Sequence, residues 1–493
     1  MNLFFIECSL PFWIDVADKL MRNNDCRIIY WTGASRLEIL IRRHFPDIIF
    51  HQNAKAVRNI APEKLESLAL PSLGNGLLDC FAKCESTVLK MMDRMARVNE
   101  FSYQERIYHY HSLLKYWLAI CEKFKPDLVI WPTSPHLVYD YVLYEVCRYF
   151  NIKTIMFEKT AFPGYLLPLK RFDQRQEIFC EFSKKTKYKD TSGSFHLSNE
   201  IKSRIEEIRG EYINGMPFHV KYKIKNKNKS IYRKLYSTIK RGVPQNLYQK
   251  YSNQEMSDIK ISRLRYCYEL IKSENQRSKL RKYYIQKTNN PDLGRPFIFV
   301  ALQCQPERST SPDGGAFAHQ YLMVEMLSQT TPESWQIYVK EHISQFKGYQ
   351  RAECARTKDF YNALLKIPKV KLLPLTLSSF ELIDAAKAVA TVSGTAGFES
   401  IVRGTPALIF GQAWYNHCEG TFQIENAEDC SKYISMINDG YKVDENKIKI
   451  FLTAFENIST KGFIDNIYSN AVSLRKKENA NSIYETIINM AHI

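Results

Sequence analysis

AVATVSGTAGFESIVRGTPALIFG, Ala388–Gly411, decides the fold. Its opening, Ala388–Val392, is an apolar run too short for a helix and reads as a buried strand. Ser393, Gly394, Thr395, Ala396 and Gly397 turn the chain into a helix over Phe398–Arg403, and Ala407–Phe410 is a second buried strand. Strands without a polar face, joined through a helix, belong to a parallel sheet covered on both sides. The turn leaves the first N–H groups of the helix unpaired, and the helix dipole adds partial positive charge there. Such a place takes an anion, most often a phosphate. The bland alternative is an ordinary capped strand-to-helix turn, which is common.

The same grammar continues upstream. Candidate strands Pro296–Leu302, Gln336–Val339 and Val370–Leu373 alternate with helices Ala316–Ser328, Thr357–Lys366 and Ser379–Ala386. In the N-terminal part, strands Leu3–Cys8, Arg27–Trp31, Asp47–His51, Asp127–Trp131 and Lys153–Phe157 alternate with helices Phe12–Arg22, Arg36–His44, one within Glu85–Lys123, and Val138–Phe150. The predicted fold class is α/β, with two Rossmann-like domains facing across a cleft, a helical insertion and C-terminal bracing helices. The predicted boundaries are 1–183 for an N-terminal, acceptor-side domain, 184–290 for a basic helical insertion, 291–444 for a C-terminal, donor-side domain, and 445–493 for helices packing back on the first domain.

At 493 residues the chain is too long for one ordinary core. No apolar run approaches the roughly 20 residues of a membrane-spanning helix. The start, MNLFFIECSLPFWIDVADKL, lacks a basic n-region and is read as a strand and helix rather than a signal peptide. The 12 cysteines mostly sit in apolar runs, and the one close pair, Cys80 and Cys84, is read as buried helix positions, so a reducing cytoplasm is expected. The net charge of +17 is concentrated in HVKYKIKNKNKSIYRKLYSTIKRG, His219–Gly242, which carries no acid. With no nucleic-acid module beside it, this stretch is read as a solvated linker or as a patch, Lys221–Arg241, that meets an anionic inner-membrane surface.

WQIYVKEHISQ, Trp335–Gln345, sets Lys340 and His342 past a strand end, where α/β sheets present groups to ligands. His342 there can protonate or neutralise a phosphate, although a lone histidine is more often a hydrogen-bonded structural residue. Ser393 and Thr395 offer hydroxyls, Gly394 and Gly397 allow close backbone approach to an anion, and Glu399, one turn into the helix, is placed to accept from a ribose hydroxyl. Gln303 and Gln305, after the first strand of the second domain, are candidates for sugar contacts. Ser379 is expected to cap its helix or to meet a nucleotide base. In the first domain, His136 and Asp140 are spaced as neighbours on one helical face, and Glu158 closes a strand, where a carboxylate can serve as base or nucleophile. A capping or salt-bridged acid is the alternative for each. The chain has no Walker A motif, no GxGxxG after its first strand, no HExxH and no Asp-x-Asp, so the usual metal–diphosphate clamp is missing.

Residues 296–420, from VALQCQPERSTSPDGGAFAHQ through IYVKEHISQF to LLPLTLSSFELIDAAKAVATVSGTAGFES, resemble the bacterial capsule polysaccharide biosynthesis family; SPHLVYDYVLY and TIMFEKTAFPG do so more loosely. The resemblance implies a GT-B glycosyltransferase related to enzymes that use CMP-activated ulosonic acids. It implies that KEH corresponds to the histidine–proline motif of bacterial sialyltransferases, with Ile343 in place of the proline, and that Ser393, Gly394 and Thr395 hold the CMP phosphate. The expected reaction moves Kdo or a nonulosonic acid (sialic, pseudaminic or legionaminic) onto a capsule or lipid-linked glycan without metal or other cofactor. Catalysis is expected from Glu158 first and Asp140 second, with His342; donor binding is expected from Lys340, His342, Ser379, Ser393, Gly394, Thr395, Glu399, Gln303 and Gln305. The alternatives are a UDP-sugar transferase or epimerase on the same fold, or a non-catalytic capsule assembly or export partner.

Overall fold

A computed structural model describes residues 1–94, 101–173, 178, 180, 181, 183, 197–216, 231–242, 262–347, 355–470 and 472–492. The chain forms two compact units. The first unit is built on a seven-stranded sheet in the order β13-β6-β5-β4-β1-β2-β3. Its strands are β1 (Asn2–Phe5), β2 (Arg27–Gly33), β3 (Ile49–Gln52), β4 (Leu128–Trp131), β5 (Lys153–Lys159), β6 (Tyr165–Leu169) and β13 (Thr460–Lys461). The pairs from β3 to β5 are parallel, and all four residues of β4 are buried, as a sheet covered on both faces requires. Helix α1 (Phe12–Asn23) turns Phe12, Trp13, Val16 and Leu20 onto that sheet, against the core formed with Phe5, Trp31 and Phe157. The long helix α2 (Tyr103–Phe124) starts at a capping box, Ser102 with Glu105, and stops at Lys125 in a left-handed conformation.

The second unit carries a parallel six-stranded sheet in the order β12-β11-β10-β7-β8-β9, from β7 (Phe297–Ala301), β8 (Gln336–Lys340), β9 (Val370–Leu372), β10 (Ala388–Thr391), β11 (Ala407–Ile409) and β12 (Thr421–Gln423). Taken in chain order this is 3-2-1-4-5-6, the doubly wound order, and the direction of winding reverses between β7 and β10. The first unit reverses likewise between β1 and β4. In such sheets the loops at the carboxyl ends of the two strands flanking the reversal part, leaving a crevice for ligands.

Several elements depart from the sequence reading. The long helix expected within Glu85–Lys123 is α2, and a separate helix, Ala82–Met91, precedes it. Cys80 is exposed, while Cys84 is buried. TIMFEK is followed by an antiparallel strand, β6, so Glu158 lies inside a strand pair opposite Leu167 and does not lead into a helix. The stretch from Glu445 is not continuously helical, because β13 interrupts it and pairs antiparallel with β6. The helix Lys476–Ala491 then packs on α1.

Parts of the stretch read as an insertion are integral to the second unit. Helix α3 (Val138–Tyr149) belongs to the first unit, but α4 (Asn199–Arg209) packs on the helix after β10, and α5 (Ile231–Arg241) packs on α6 (Arg263–Gln286). Tyr284 of α6 is fully buried, accepting from the Glu341 N–H at 3.0 Å and donating to the Leu373 carbonyl at 2.7 Å. Residues 221–230 of the basic patch lie outside the described residues. No helix among the described residues is long and apolar enough to cross a membrane.

Candidate functional site

In the second unit the loops after β7, β8 and β10 leave neighbouring strands at one sheet edge. The turn after β10 enters helix α7 (Thr395–Val402), whose N-cap, Gly394, has no side-chain cap. Among the described residues the N–H groups of Thr395 and Ala396 meet no acceptor, and Ser393 through Ala396 are half-buried. An accessible, uncapped helix N-terminus at the reversal point is suited to an anion.

A hydrogen-bonded chain ties this turn to His342. The Gln303 amide, oriented to satisfy both its ends, accepts from the Gly394 N–H at 2.7 Å and donates to the Ser309 carbonyl at 3.1 Å. Ser393 Oγ donates to the same carbonyl at 2.9 Å. The Gln303 backbone is clamped on both sides by the buried amide of Gln320 (2.7 and 3.0 Å), and the Gln305 backbone by Gln345 (2.9 and 3.0 Å). Arg356 reaches the Gln303 carbonyl at 3.3 Å, the Gln305 side-chain oxygen at 2.5 Å and Glu341 at 3.0 Å. Glu341 accepts from Tyr361 Oη at 2.9 Å and, with its other oxygen, from the His342 N–H at 2.8 Å. Glu341 and Arg356 are almost wholly buried, an ion pair whose desolvation is offset only because each partner's remaining hydrogen-bonding capacity is also filled.

His342 itself is half-buried, and its Nδ1 accepts from the Ser344 N–H at 3.2 Å. A nitrogen that accepts carries no proton, so in the neutral ring the proton sits on Nε2. Lys340 Nζ donates to the Leu377 carbonyl at 2.6 Å and to Ser379 Oγ at 3.1 Å. Burial lowers its pKa to about 8, with Glu381 pulling the other way. Ser379 is therefore the acceptor of Lys340; the N-cap of its helix, Ser379–Ala385, is Ser378.

Two expectations about this turn change. A Cβ on Gly394 would come within 2.8 Å of Thr391 Oγ1, and one on Gly397 within 2.5 Å of Tyr415 Oη and 2.7 Å of Ile409 Cδ1. The close approaches these glycines allow are thus made by protein atoms packing the helix on the sheet. Gln305 is likewise spoken for by Arg356 and Gln345. Glu399 is buried, its Oε1 without a hydrogen-bond partner among the described residues. Burial pushes its carboxyl up to about 7, against the Thr395 hydroxyl and the charges of Arg204 and Arg403.

In the first unit, His136 precedes α3 rather than lying on it, and its backbone N–H donates to Asp140 at 3.2 Å. Asp140 is 1% exposed and its Oδ1 meets no partner among the described residues. Its pKa is raised, first by burial and then by the negative charge of Glu7. Glu7 follows β1 at the reversal point. It holds a left-handed backbone (φ 62°), unlike Lys125 and His492, which do so as helix caps, and its N–H donates to Thr32 Oγ1 at 2.6 Å. Burial pushes the Glu7 carboxyl up to about 7, with Lys159 opposing. Glu158 is buried on β5, and Lys159 beside it pairs with Asp465 at 2.7 Å. The sequence reading missed Glu7, although an acid directly after an apolar strand is the signal that singled out Glu158.

Residues 211–431, which carry the whole of the network around His342 and the turn after β10, match the model of the capsule polysaccharide biosynthesis protein family. The likeness to that family is carried by this part of the chain. None of the curated protein sequences matches. Among solved structures, the beta Kdo 2,7 transferase KpsC of Thermosulfurimonas dismutans aligns at 8% identity over 99% of both chains with a TM-score of 0.35. The beta Kdo 2,4 transferase KpsC of the same organism aligns at 13% identity over 67% of this chain and 79% of that one, TM-score 0.28. The UDP-GlcNAc 2-epimerase of Methanocaldococcus jannaschii aligns at 12% identity over 93% and 98%, TM-score 0.26. At such scores the α/β fold rests on its own strand order rather than on these alignments.

Proposed function

We propose that the chain is a glycosyltransferase of capsule or surface polysaccharide synthesis, moving an ulosonic acid (Kdo or a nonulosonic acid) from its CMP-activated donor onto a glycan acceptor. The observation that carries this reading is the continuous network from the turn at Ser393 to His342, which holds the imidazole on the same sheet edge as an uncapped helix N-terminus. When the bond from the anomeric carbon to the phosphate oxygen breaks, negative charge grows on a single phosphate. The His342 Nε2–H and the N–H groups of Thr395 and Ala396 stabilise that charge, and Lys340 adds a cation, so the leaving cytidylate needs no metal. Glu399 is assigned the ribose hydroxyls, with its unpartnered oxygen as acceptor.

For the acceptor, Asp140 is preferred over Glu158. A second carboxyl, Glu7, acts on it, and both carboxyls are pushed upwards. Paired carboxyls raised in this way divide into one that keeps its proton and one that gives it up, which suits proton transfer from an acceptor hydroxyl. The protein is assigned to the cytoplasmic face of the inner membrane, where lipid-linked acceptors reside. The test is mass spectrometry of products from CMP-Kdo and CMP-nonulosonic acids with lipid-linked acceptors, beside UDP-sugars. The reading predicts an added ulosonic acid from a CMP donor, lost in Asp140→Asn; transfer or epimerisation of a UDP-sugar instead would overturn it.

A further inference from the structure

The amphipathic helix α5 and the first turns of α6 leave apolar side chains facing solvent. On α5 the sequence IYRKLYSTIKR places Tyr232, Tyr236 and Ile239 on one side of the helix, and all three are exposed, Tyr232 by 79% and Ile239 by 64%. On α6, Leu264, Tyr268 and Ile271 recur at spacings of four and three, the repeat of a single helical face, and Leu264 is 84% exposed. The two helices pack on each other, and Arg263 Nη1 donates to the Ile239 carbonyl at 3.0 Å, which brings the start of α6 to the end of α5. Beside the stripe lie Arg233 and Lys240, whose ammonium is 5.8 Å from the centre of the Tyr236 ring; Lys234 and Arg241 lie farther round the helix, and α5 carries no acid.

We propose that this face docks the enzyme on an anionic lipid bilayer, with the stripe at the headgroup–acyl boundary and the flanking cations on the lipid headgroups. Charge complementarity selects the occupant. An acidic polysaccharide would take the cations alone and give exposed Ile239 and Leu264 nothing to bury, whereas a basic amphipathic helix bearing tyrosine and aliphatic residues matches both layers of a membrane interface. The inference deepens the membrane-side part of the proposed function by naming the residues. It is independent of the donor, because vesicle binding is measured with neither donor nor acceptor present.

The experiment is co-flotation of the full chain with vesicles of phosphatidylglycerol and phosphatidylethanolamine, beside vesicles of phosphatidylcholine alone. Binding to the anionic vesicles only is expected. Lys234→Gln and Lys240→Gln should each lower partitioning about fivefold, and Ile239→Glu or Leu264→Glu about tenfold or more. Since an introduced acid can also disturb packing, Tyr236→Trp supplies a second readout: its emission should shift to the blue on anionic vesicles. No binding would overturn the proposal, as would binding that responds to the lysines but not to Ile239→Glu, with no blue shift. So would a dimer in sedimentation that Ile239→Glu dissociates, with vesicles ignored, since the stripe would then be covered by a second copy.

Discussion

Replacing Glu399 by glutamine should remove a pH-dependent loss of stability. The buried carboxyl ionises in the folded protein near pH 7, against 4.5 for an ordinary glutamate. Below pH 4.5 both folded and unfolded chains hold the proton and burial of the neutral acid costs little. As pH rises from 4.5 towards 7 the unfolded chain gives the proton up and the folded one keeps it, so stability falls with rising pH and levels off above 7. At 1.36 kcal/mol per pKa unit, the displacement amounts to roughly 3 kcal/mol in all, of which about 2.5 kcal/mol is lost between pH 5 and 8. Glutamine has nothing to ionise, so the stability of Glu399→Gln relative to wild type should improve by about 2.5 kcal/mol over that interval. Glu7 and Asp140 slope the same way in both proteins, and with two compact units only the difference between parallel urea titrations is used. Parallel pH profiles would refute the reasoning, since Glu399 would then be an ordinary solvated acid.

Gly397→Ala should destabilise by about 1–3 kcal/mol, read as a lower melting temperature, because its Cβ would meet Tyr415 and Ile409 below 3 Å. Arg356→Met strands the buried Glu341 carboxylate and should cost about 3–5 kcal/mol, whereas Glu341→Gln with Arg356→Met together should recover part of that loss in urea titrations. Asp140→Asn should abolish transfer while leaving nucleotide-induced stabilisation intact, and Glu7→Gln should flatten the limb of the activity–pH profile near 7; loss of nucleotide binding in either would return both residues to a structural role.

Much of the fold was legible because parallel strands buried on both faces announce themselves as short apolar runs. LVIW and AVAT could hardly be anything else once flanked by helical patterns. The β6 strand was not legible, because Pro168 in YLLPL reads as a breaker, although an antiparallel strand near a sheet edge tolerates it. Two-residue β13 exists only through its pairing with β6 and leaves no periodic trace. In the site, Lys340, His342 and the turn at Ser393 stood out as polar residues following apolar strands. Arg356 did not. Its role comes from burial beside Glu341, 15 residues away, and nothing local distinguishes it from a surface arginine. Ser379 looked like a cap from its position before an apolar helix, and only the three-dimensional approach of Lys340 shows what its hydroxyl does. Glu7 was hidden by extending the first strand through Cys8, which made a reversal-point acid look like a strand residue.

Whether His342 and the turn at Ser393 grip the single phosphate of a cytidylate is tested most directly by thermal stabilisation by CMP compared with UDP in wild type and His342→Ala. At a hundred times its dissociation constant a ligand adds about 2.7 kcal/mol, so CMP should raise the wild-type transition by several degrees, UDP by less, and the variant should need at least ten times more CMP for the same shift. Equal CMP responses in the two proteins, or stabilisation by UDP and not CMP, would contradict the account.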